Sequence, residues 1–349
     1  GQKYKPVDRD QLMYYREDEA GQVLQEGISE AGAFASWMAA ATSYSTNDLP
    51  MLPFYIYYSM FGFQRIGDIA WQAADMRTRG FLLGGTAGRT TLNGEGLQHE
   101  DGHSHLLAGA IPNCRAYDPT FAGEVAVIVQ EGMRRMLDEQ QDEYWYLTLM
   151  NENYAHPALP EGAAEGVIRG MYLLKDAGKP KKGELRVQLM GSGTILREAI
   201  AAAELLDKDF GVTADIWSCP SFTELRRDGF DVERWNRHNP EAKAPRKAYI
   251  TQMLEGRQGP AVAATDYVRA FADQVRAFVP MTYTVLGTDG FGRSDTRANL
   301  RRHFEVDRFH IAHAAIDALA KDGAMTAKDA ARALKLYRID TGRPNPLHA

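Results

Sequence analysis

Apolar positions recur along this chain at two different spacings, and the alternation between them predicts its architecture. Over residues 29–43 they return every three to four positions, as in a helix that buries one face. Residues 52–58 form a short apolar and aromatic run of strand type instead. Residues 63–79 read as a second helix with Gly80 at its end, and 81–83 as a strand entering a glycine-rich segment. A helix over 124–139 and a strand over 144–150 follow. Strands separated by helices favour a parallel or mostly parallel sheet, because parallel neighbours need a crossover.

The stretch 157–183 is rich in Gly, Ala, Pro and Lys, with an exposed turn at the PKKG of 180–183. A boundary placed there predicts two α/β domains, residues 1–160 and 161–349. The second half repeats the alternation. A strand over 187–190 enters the Gly-Ser-Gly of 191–193 and an alanine-rich helix over 195–206. Strands at 214–218, 261–264 and 283–286 and a helix at 267–278 come next. Two helices close the chain, one over 307–321 stopped by Gly323 and one capped by Thr326 with Asp329 three residues on.

Composition narrows the class without naming a function. A chain of 349 residues with 44% hydrophobic and 25% charged residues has the make-up of a folded globular protein and length for two cores. The net charge of −6, with Lys and Arg scattered, offers no face for nucleic acid. Two distant cysteines, Cys114 and Cys219, argue against a disulfide framework and for a reducing compartment. The first residues lack the apolar core of a signal peptide, and no run approaches membrane-spanning length. A cytoplasmic protein without membrane partners is expected.

Chemistry is densest at residues 94–105, GEGLQHEDGHSH, where His99, His103 and His105 stand among Glu95, Glu100, Asp101 and three glycines. Imidazoles and carboxylates together suit proton transfer or metal binding. The stretch His99-Glu100-Asp101-Gly102-His103 matches His-Glu-x-x-His, but that zinc motif works only on a helix, which Gly94, Gly96 and Gly102 disfavour. The Gly-Ser-Gly of 191–193 lacks a third glycine at dinucleotide spacing and reads as a tight turn rather than a phosphate cradle. Most rings of the aromatic run 54–63 are core residues, yet clustered at a strand-to-helix turn they could form a wall for a heteroaromatic ring. Glu30 starts a helix inside an apolar stretch; it is either exposed there or faces inward, where it could share a proton with a ring nitrogen.

Several long segments carry a more specific signal: ATSYSTNDLPMLPFYIYYSMFGFQRIGDIAW, TTLNGEGLQHEDGHSH, NENYAHPALPEGAAEG, SFTELRRDGFDVERWN and VLGTDGFGRSDTRANLRRHFEVD. Through them the chain resembles, from end to end, the C-terminal part of the homodimeric bacterial pyruvate dehydrogenases, which depend on thiamine diphosphate. The resemblance implies a pyrimidine-binding parallel-sheet domain followed by a smaller transketolase-like C-terminal domain. It implies that Glu30 hydrogen-bonds the aminopyrimidine of the cofactor, that Phe61 stacks on it and that Tyr58 faces its amino group and the substrate. His99 matches an active-site histidine near the reacting carbonyl, with Glu95 beside it, and Asp8 an acidic residue close to the site.

The activity so implied is decarboxylation of pyruvate and transfer of the acetyl unit to the lipoyl domain of a dihydrolipoyl acetyltransferase. The diphosphate motif of the superfamily, Gly-Asp-Gly followed by Asn, is absent; Asp228-Gly229 and Asp289-Gly290 lack its leading glycine. The resemblance therefore places the Mg²⁺ and diphosphate ligands in an N-terminal half lying before Gly1. This chain would supply the pyrimidine side of a site completed in a homodimer. Two alternatives are a dimerisation fragment without catalysis and another thiamine-diphosphate enzyme such as a transketolase. The histidines after GEGLQHEDG and the FYIYYSMF aromatics favour the pyruvate enzyme.

Overall fold

A computed structural model describes Val7, Asp10 and residues 18–349 of the chain. Ser29 caps the first helix, Glu30–Ala41, by accepting a hydrogen bond from the Gly32 N–H at 3.3 Å. Phe34, Trp37 and Ala41 lie on its buried face. The Trp37 indole donates to the carbonyls of Pro53 and Phe81, each at 3.1 Å, which ties this helix to the first two strands. These are β1 (Phe54–Tyr57) and β2 (Phe81–Gly85), with the helix Gly62–Asp75 between them. A Cβ at Gly62 would lie 1.9 Å from the Tyr57 ring, so only glycine lets strand and helix approach so closely.

With β3 (Cys114–Tyr117) and β4 (Tyr144–Leu149), the first sheet is fully parallel in the order β1-β2-β4-β3. The second contains β5 (Tyr172–Lys175), β6 (Leu185–Gly191), β7 (Val212–Ser218), β8 (Ala261–Ala264) and β9 (Tyr283–Leu286). Its order is β5-β7-β6-β8-β9, parallel except for the antiparallel edge strand β5. Val187, Leu189 and Val262 bury one face against Ile311, Ala315 and Leu319. Met190, Trp217 and Ala263 bury the other against Phe222, Tyr267 and Phe271.

The mostly parallel α/β expectation is met in both halves, and the structure adds elements that the spacing did not predict. Helix Ser104–Ala110 and β3 follow the histidine-rich segment. The stretch expected as a boundary holds helix Ala164–Arg169 and β5. Helix Phe222–His238 is the longest missed, although Ser221 accepts from the Glu224 N–H in the usual N-cap manner. Tyr249–Leu254 and Arg297–His303 were not foreseen either. The helix expected over 267–278 is broken into Ala270–Asp273 and a single turn, Arg276–Phe278, after Val268 gives its N–H to the Gly102 carbonyl of the first half at 2.8 Å.

That cross-contact belongs to a buried polar seam. The carboxyl ends of the parallel strands of both sheets point at one another: Asp118 follows β3, Ser192 follows β6, and Thr265 and Asp266 follow β8. Ser192 and Thr148 donate to the Asp118 carboxyl, each at 2.7 Å. Asp266 accepts from the Thr90 and Thr91 hydroxyls at 2.7 and 2.9 Å. The Gly-Ser-Gly turn is part of this seam, with the Gly193 carbonyl accepting from Thr120 at 2.8 Å.

Burial pushes the Asp118 carboxyl up to about 7, reinforced by the charges of Asp266 and Glu124 and opposed by the hydrogen bonds from Ser192 and Thr148. The folded state then keeps a proton that the unfolded chain releases near pH 4. Asp118 accordingly lowers stability as pH rises from about 4 towards 7, by up to about 1.4 kcal/mol per pH unit. In urea unfolding measured across this range, Asp118→Asn is expected to show a shallower loss of stability than the parent. Equal slopes would show that Asp118 is not the group that titrates.

Candidate active site

The strand-to-helix turn after β1 places Tyr58 and Phe61 at the surface end of the first sheet. Phe61 caps helix Gly62–Asp75, and one turn further on Arg65 lays its guanidinium 4.2 Å from the centre of the Phe61 ring. Arg65 also donates to the Glu30 carboxylate at 2.7 Å. Glu30, the first residue of its helix, is thus at a helix start and also faces this cluster, its side chain 18% exposed. The neighbouring Tyr55 hydroxyl is pushed up to about 12 by burial and by the charge of Glu30.

The histidine segment closes the cluster from the other side. Gly94 and Gly96 take φ of +80° and +91°, which turns the chain into a single 3₁₀ turn, Leu97–His99. The His99 ring centre then lies 5.1 Å from that of Phe61, edge to face, and 5.2 Å from that of Tyr58. Its Nδ1 is 3.1 Å from the Glu95 carbonyl. A carbonyl can only accept, so Nδ1 carries the hydrogen and Nε2 is left as the basic nitrogen. The Glu95 carboxylate accepts from the Asn151 amide at 3.4 Å.

Four of the six residues picked out in the sequence, Glu30, Tyr58, Phe61 and His99, therefore converge on one surface, and Glu95 meets His99 through its backbone carbonyl while its carboxylate turns to Asn151. Asp8 lies outside the described residues. Arg65 was missed, although its spacing of four from Phe61 on a helix was a usable signal. The metalloprotease spacing dissolves: His99 ends one turn, and His103 precedes a separate helix, Ser104–Ala110. His105 is buried, held neutral by a pKa pushed down to about 4, with Nε2 2.9 Å from the Thr148 hydroxyl. Among the described residues no group of three or more His, Cys, Asp or Glu side chains could hold a metal ion.

Two family models match the chain: the pyruvate dehydrogenase E1 component middle domain over residues 1–157, and the transketolase-like C-terminal domain over 170–307. The pyruvate dehydrogenase E1 component of Cupriavidus necator is 61% identical over 347 residues, which is 99% of this chain and 38% of that protein. Those of Pseudomonas aeruginosa and Escherichia coli K12 are 62% and 59% identical over 348 residues, each covering 99% of this chain and 39% of the relative. The chain spans about two fifths of the length of these relatives.

Among solved structures, a Campylobacter jejuni transketolase aligns with a TM-score of 0.59 at 18% identity, over 79% of this chain and 37% of that one. A split-gene transketolase, described as an inactive β4 tetramer, aligns with a TM-score of 0.57 at 16% identity, over 82% of this chain and 81% of its own. At such identities the structures establish the transketolase-like fold alone. Sequence and fold agree, and the chain belongs to the family of bacterial pyruvate dehydrogenase E1 components, as the part carrying their middle and transketolase-like C-terminal domains.

Proposed function

We propose that this chain supplies the pyrimidine-side half of a thiamine-diphosphate site in an enzyme that decarboxylates pyruvate and passes the acetyl group to a lipoyl group. Residues 1–160 would form the pyrimidine-binding domain and 161–349 the C-terminal domain. One observation carries the reading: a planar, cationic N–H donor, the Arg65 guanidinium, already lies on Phe61 and bonds Glu30. A protonated aminopyrimidine offers the same flat face and the same ring N–H. The residues present fit that half of the cofactor.

Thiamine diphosphate, when bound, supplies the electron sink for loss of carbon dioxide. Glu30 holds and returns the proton of the ring nitrogen. Phe61 supports the ring from one side. Tyr58, half exposed, stands at the mouth with its hydroxyl available to the substrate. His99, with Nε2 basic, takes or returns a proton beside the reacting carbonyl, and Glu95 fixes its tautomer through its backbone oxygen.

The cluster of Glu30, Tyr58, Phe61 and His99 addresses the ring half of the cofactor. Mg²⁺ and the diphosphate are assigned here to an N-terminal half of the same enzyme. The edge strand β1 supports a site completed by another chain segment, because Phe54 and Ile56 leave one of its faces apolar and exposed. We assign that face to a homodimer with the N-terminal half, in a cytoplasmic multienzyme complex containing the lipoyl domain. Among the described residues no helix is long and apolar enough to cross a membrane.

The test uses the full-length enzyme with pyruvate, thiamine diphosphate, Mg²⁺ and an artificial electron acceptor. Carbon dioxide release that requires pyruvate is expected. Turnover of ketose phosphates without turnover of pyruvate would establish the transketolase alternative instead. In the same enzyme, Phe61→Ala is expected to weaken cofactor binding by about 1–2 kcal/mol through lost stacking. Unchanged affinity with a lowered melting temperature would reduce Phe61 to a packing residue.

The 349-residue chain alone is expected to bind thiamine diphosphate and Mg²⁺ too weakly for calorimetric titration at micromolar concentration, and to behave as a dimerisation fragment. Stacking and one or two hydrogen bonds do not replace the oxygen ligands and backbone donors that a magnesium diphosphate needs. Micromolar binding would place a diphosphate site within these residues.

A further inference from the structure

The turn that carries His99 is held from outside its own domain. Glu100, the next residue, is buried, and its Oε2 accepts the backbone N–H of Arg293 at 2.6 Å. Arg293 belongs to the loop that follows β9 in the second half. In that loop Gly292 lies so close that a Cβ there would stand 2.7 Å from Glu100 Oε2 and 2.9 Å from the Leu97 carbonyl. The loop therefore touches both ends of the single turn Leu97–His99.

The loop itself is firmly placed. Arg89, from the first half, donates to the carbonyls of Thr288 and Gly290. The Thr288 hydroxyl donates to the Asp266 carbonyl at 2.9 Å, and the Arg269 N–H to the Asp289 carboxylate at the same distance. A side chain that catches the Arg293 N–H is thus fastened to a rigid support. Helix Ser104–Ala110 starts four residues after Glu100, and the glycines at 94 and 96 leave the other side of the turn conformationally free. The Val268 N–H holds the Gly102 carbonyl two residues on, and the His99 ring packs on Tyr58 and Phe61, but it is the Glu100 carboxyl that hydrogen-bonds the turn to the Gly290–Arg293 loop.

We infer that Glu100 is a positioning residue, whose buried carboxyl fastens the His99 turn to the Gly290–Arg293 loop and so lets the second domain set the place of the catalytic imidazole. The inference rests on the proposed role of His99, but its geometry does not. Burial raises the Glu100 carboxyl to about 7, with Asp266 raising it further and the Arg293 N–H and the Arg89 charge opposing. Near pH 6 the carboxyl is therefore mainly protonated, and glutamine is a close mimic: it keeps the acceptor and carries no charge.

The test reads His99 directly. Proton–carbon NMR spectra of ring-labelled histidines in the 349-residue chain at pH 6 are assigned for His99 by its own substitution. In the parent, His99 is expected to show the ring-current shift of an imidazole packed against both Tyr58 and Phe61. Glu100→Ala is expected to abolish that shift while leaving buried His105 unmoved, and Glu100→Gln is expected to preserve it. Gly292→Ala disturbs the same contact from the other domain and should displace His99 as well. This second variant decides the matter if Glu100→Ala fails to fold.

A His99 signal unmoved in both alanine variants would overturn the inference, as would an equal displacement in Glu100→Gln. In the full-length enzyme, Glu100→Ala should lower kcat for pyruvate roughly tenfold to a hundredfold with little change in KM, with activity restored by glutamine. A parent enzyme inactive on pyruvate would refute the proposed function and leave the NMR result to judge Glu100 on its own.

Discussion

Glu30→Gln in the full-length enzyme is expected to fold as the parent does and to turn over pyruvate at least about a hundredfold more slowly. The two halves of this expectation have separate physical causes. Glu30 begins a helix at its N-terminus, with Ser29 already capping the end, so its charge contributes no more than about 0.3–1 kcal/mol through the helix dipole. Its ion pair with Arg65 is half exposed on the arginine side and adds little. Neutralising the carboxylate leaves hydrophobic packing by Phe34 and Trp37 untouched. Proton exchange with a ring nitrogen, by contrast, needs a group that can take and return a proton, and a carboxamide cannot. Steady-state turnover and thermal unfolding of the same variant separate the two effects. Near-normal turnover would remove Glu30 from the mechanism, while a large loss of melting temperature would make it a structural residue.

What could be read from the sequence followed periodicity. Strands buried on both faces, such as Leu185–Gly191, left an apolar run, and helices that bury one face against the sheet, such as Ile195–Phe210, left a helical spacing. Phe222–His238 is as one-sided as Ile195–Phe210, but charged residues dominate it and only Phe222, Thr223, Leu225 and Gly229 are buried, so its apolar stripe is sparse. The helix expected over 267–278 was broken by a tertiary hydrogen bond, Val268 to Gly102, which no local window contains. Edge strand β5 joins its sheet antiparallel within a stretch whose Gly and Pro content suggested only a boundary.

The site shows the same division. Glu30, Tyr58, Phe61 and His99 were selected by residue type and by resemblance, and the structure brings them together. Their supports were invisible, because each acts across a long sequence separation. Asp266 reaches back to Thr90 and Thr91, and Arg293 to Glu100. A single sequence records what a residue can do chemically more readily than which distant backbone group it will meet.

The seam that joins the two sheets should be the most sensitive place in the fold, and Gly88→Ala is expected to show it with a loss of roughly 3–5 kcal/mol. Gly88 has φ of +84°, which costs an L side chain about 1–2 kcal/mol wherever it occurs. A Cβ there would also lie 2.2 Å from Asp266 Oδ2. That carboxylate is fully buried and held by the Thr90 N–H at 3.0 Å and by the Thr90 and Thr91 hydroxyls, so it cannot step aside without giving up partners. Each buried bond lost costs about 1–3 kcal/mol. The disturbance also reaches Arg89, the next residue, and with it the loop that supports the His99 turn. Gly94→Ala supplies the control, since its φ of +80° is similar but nothing lies within 4 Å of the added Cβ. Urea unfolding of the two variants should separate backbone strain, about 1–2 kcal/mol in both, from damage to the seam, present only at Gly88. Equal losses in the two would mean that the Asp266 carboxylate finds new partners at no cost and that the seam is softer than its hydrogen bonds suggest.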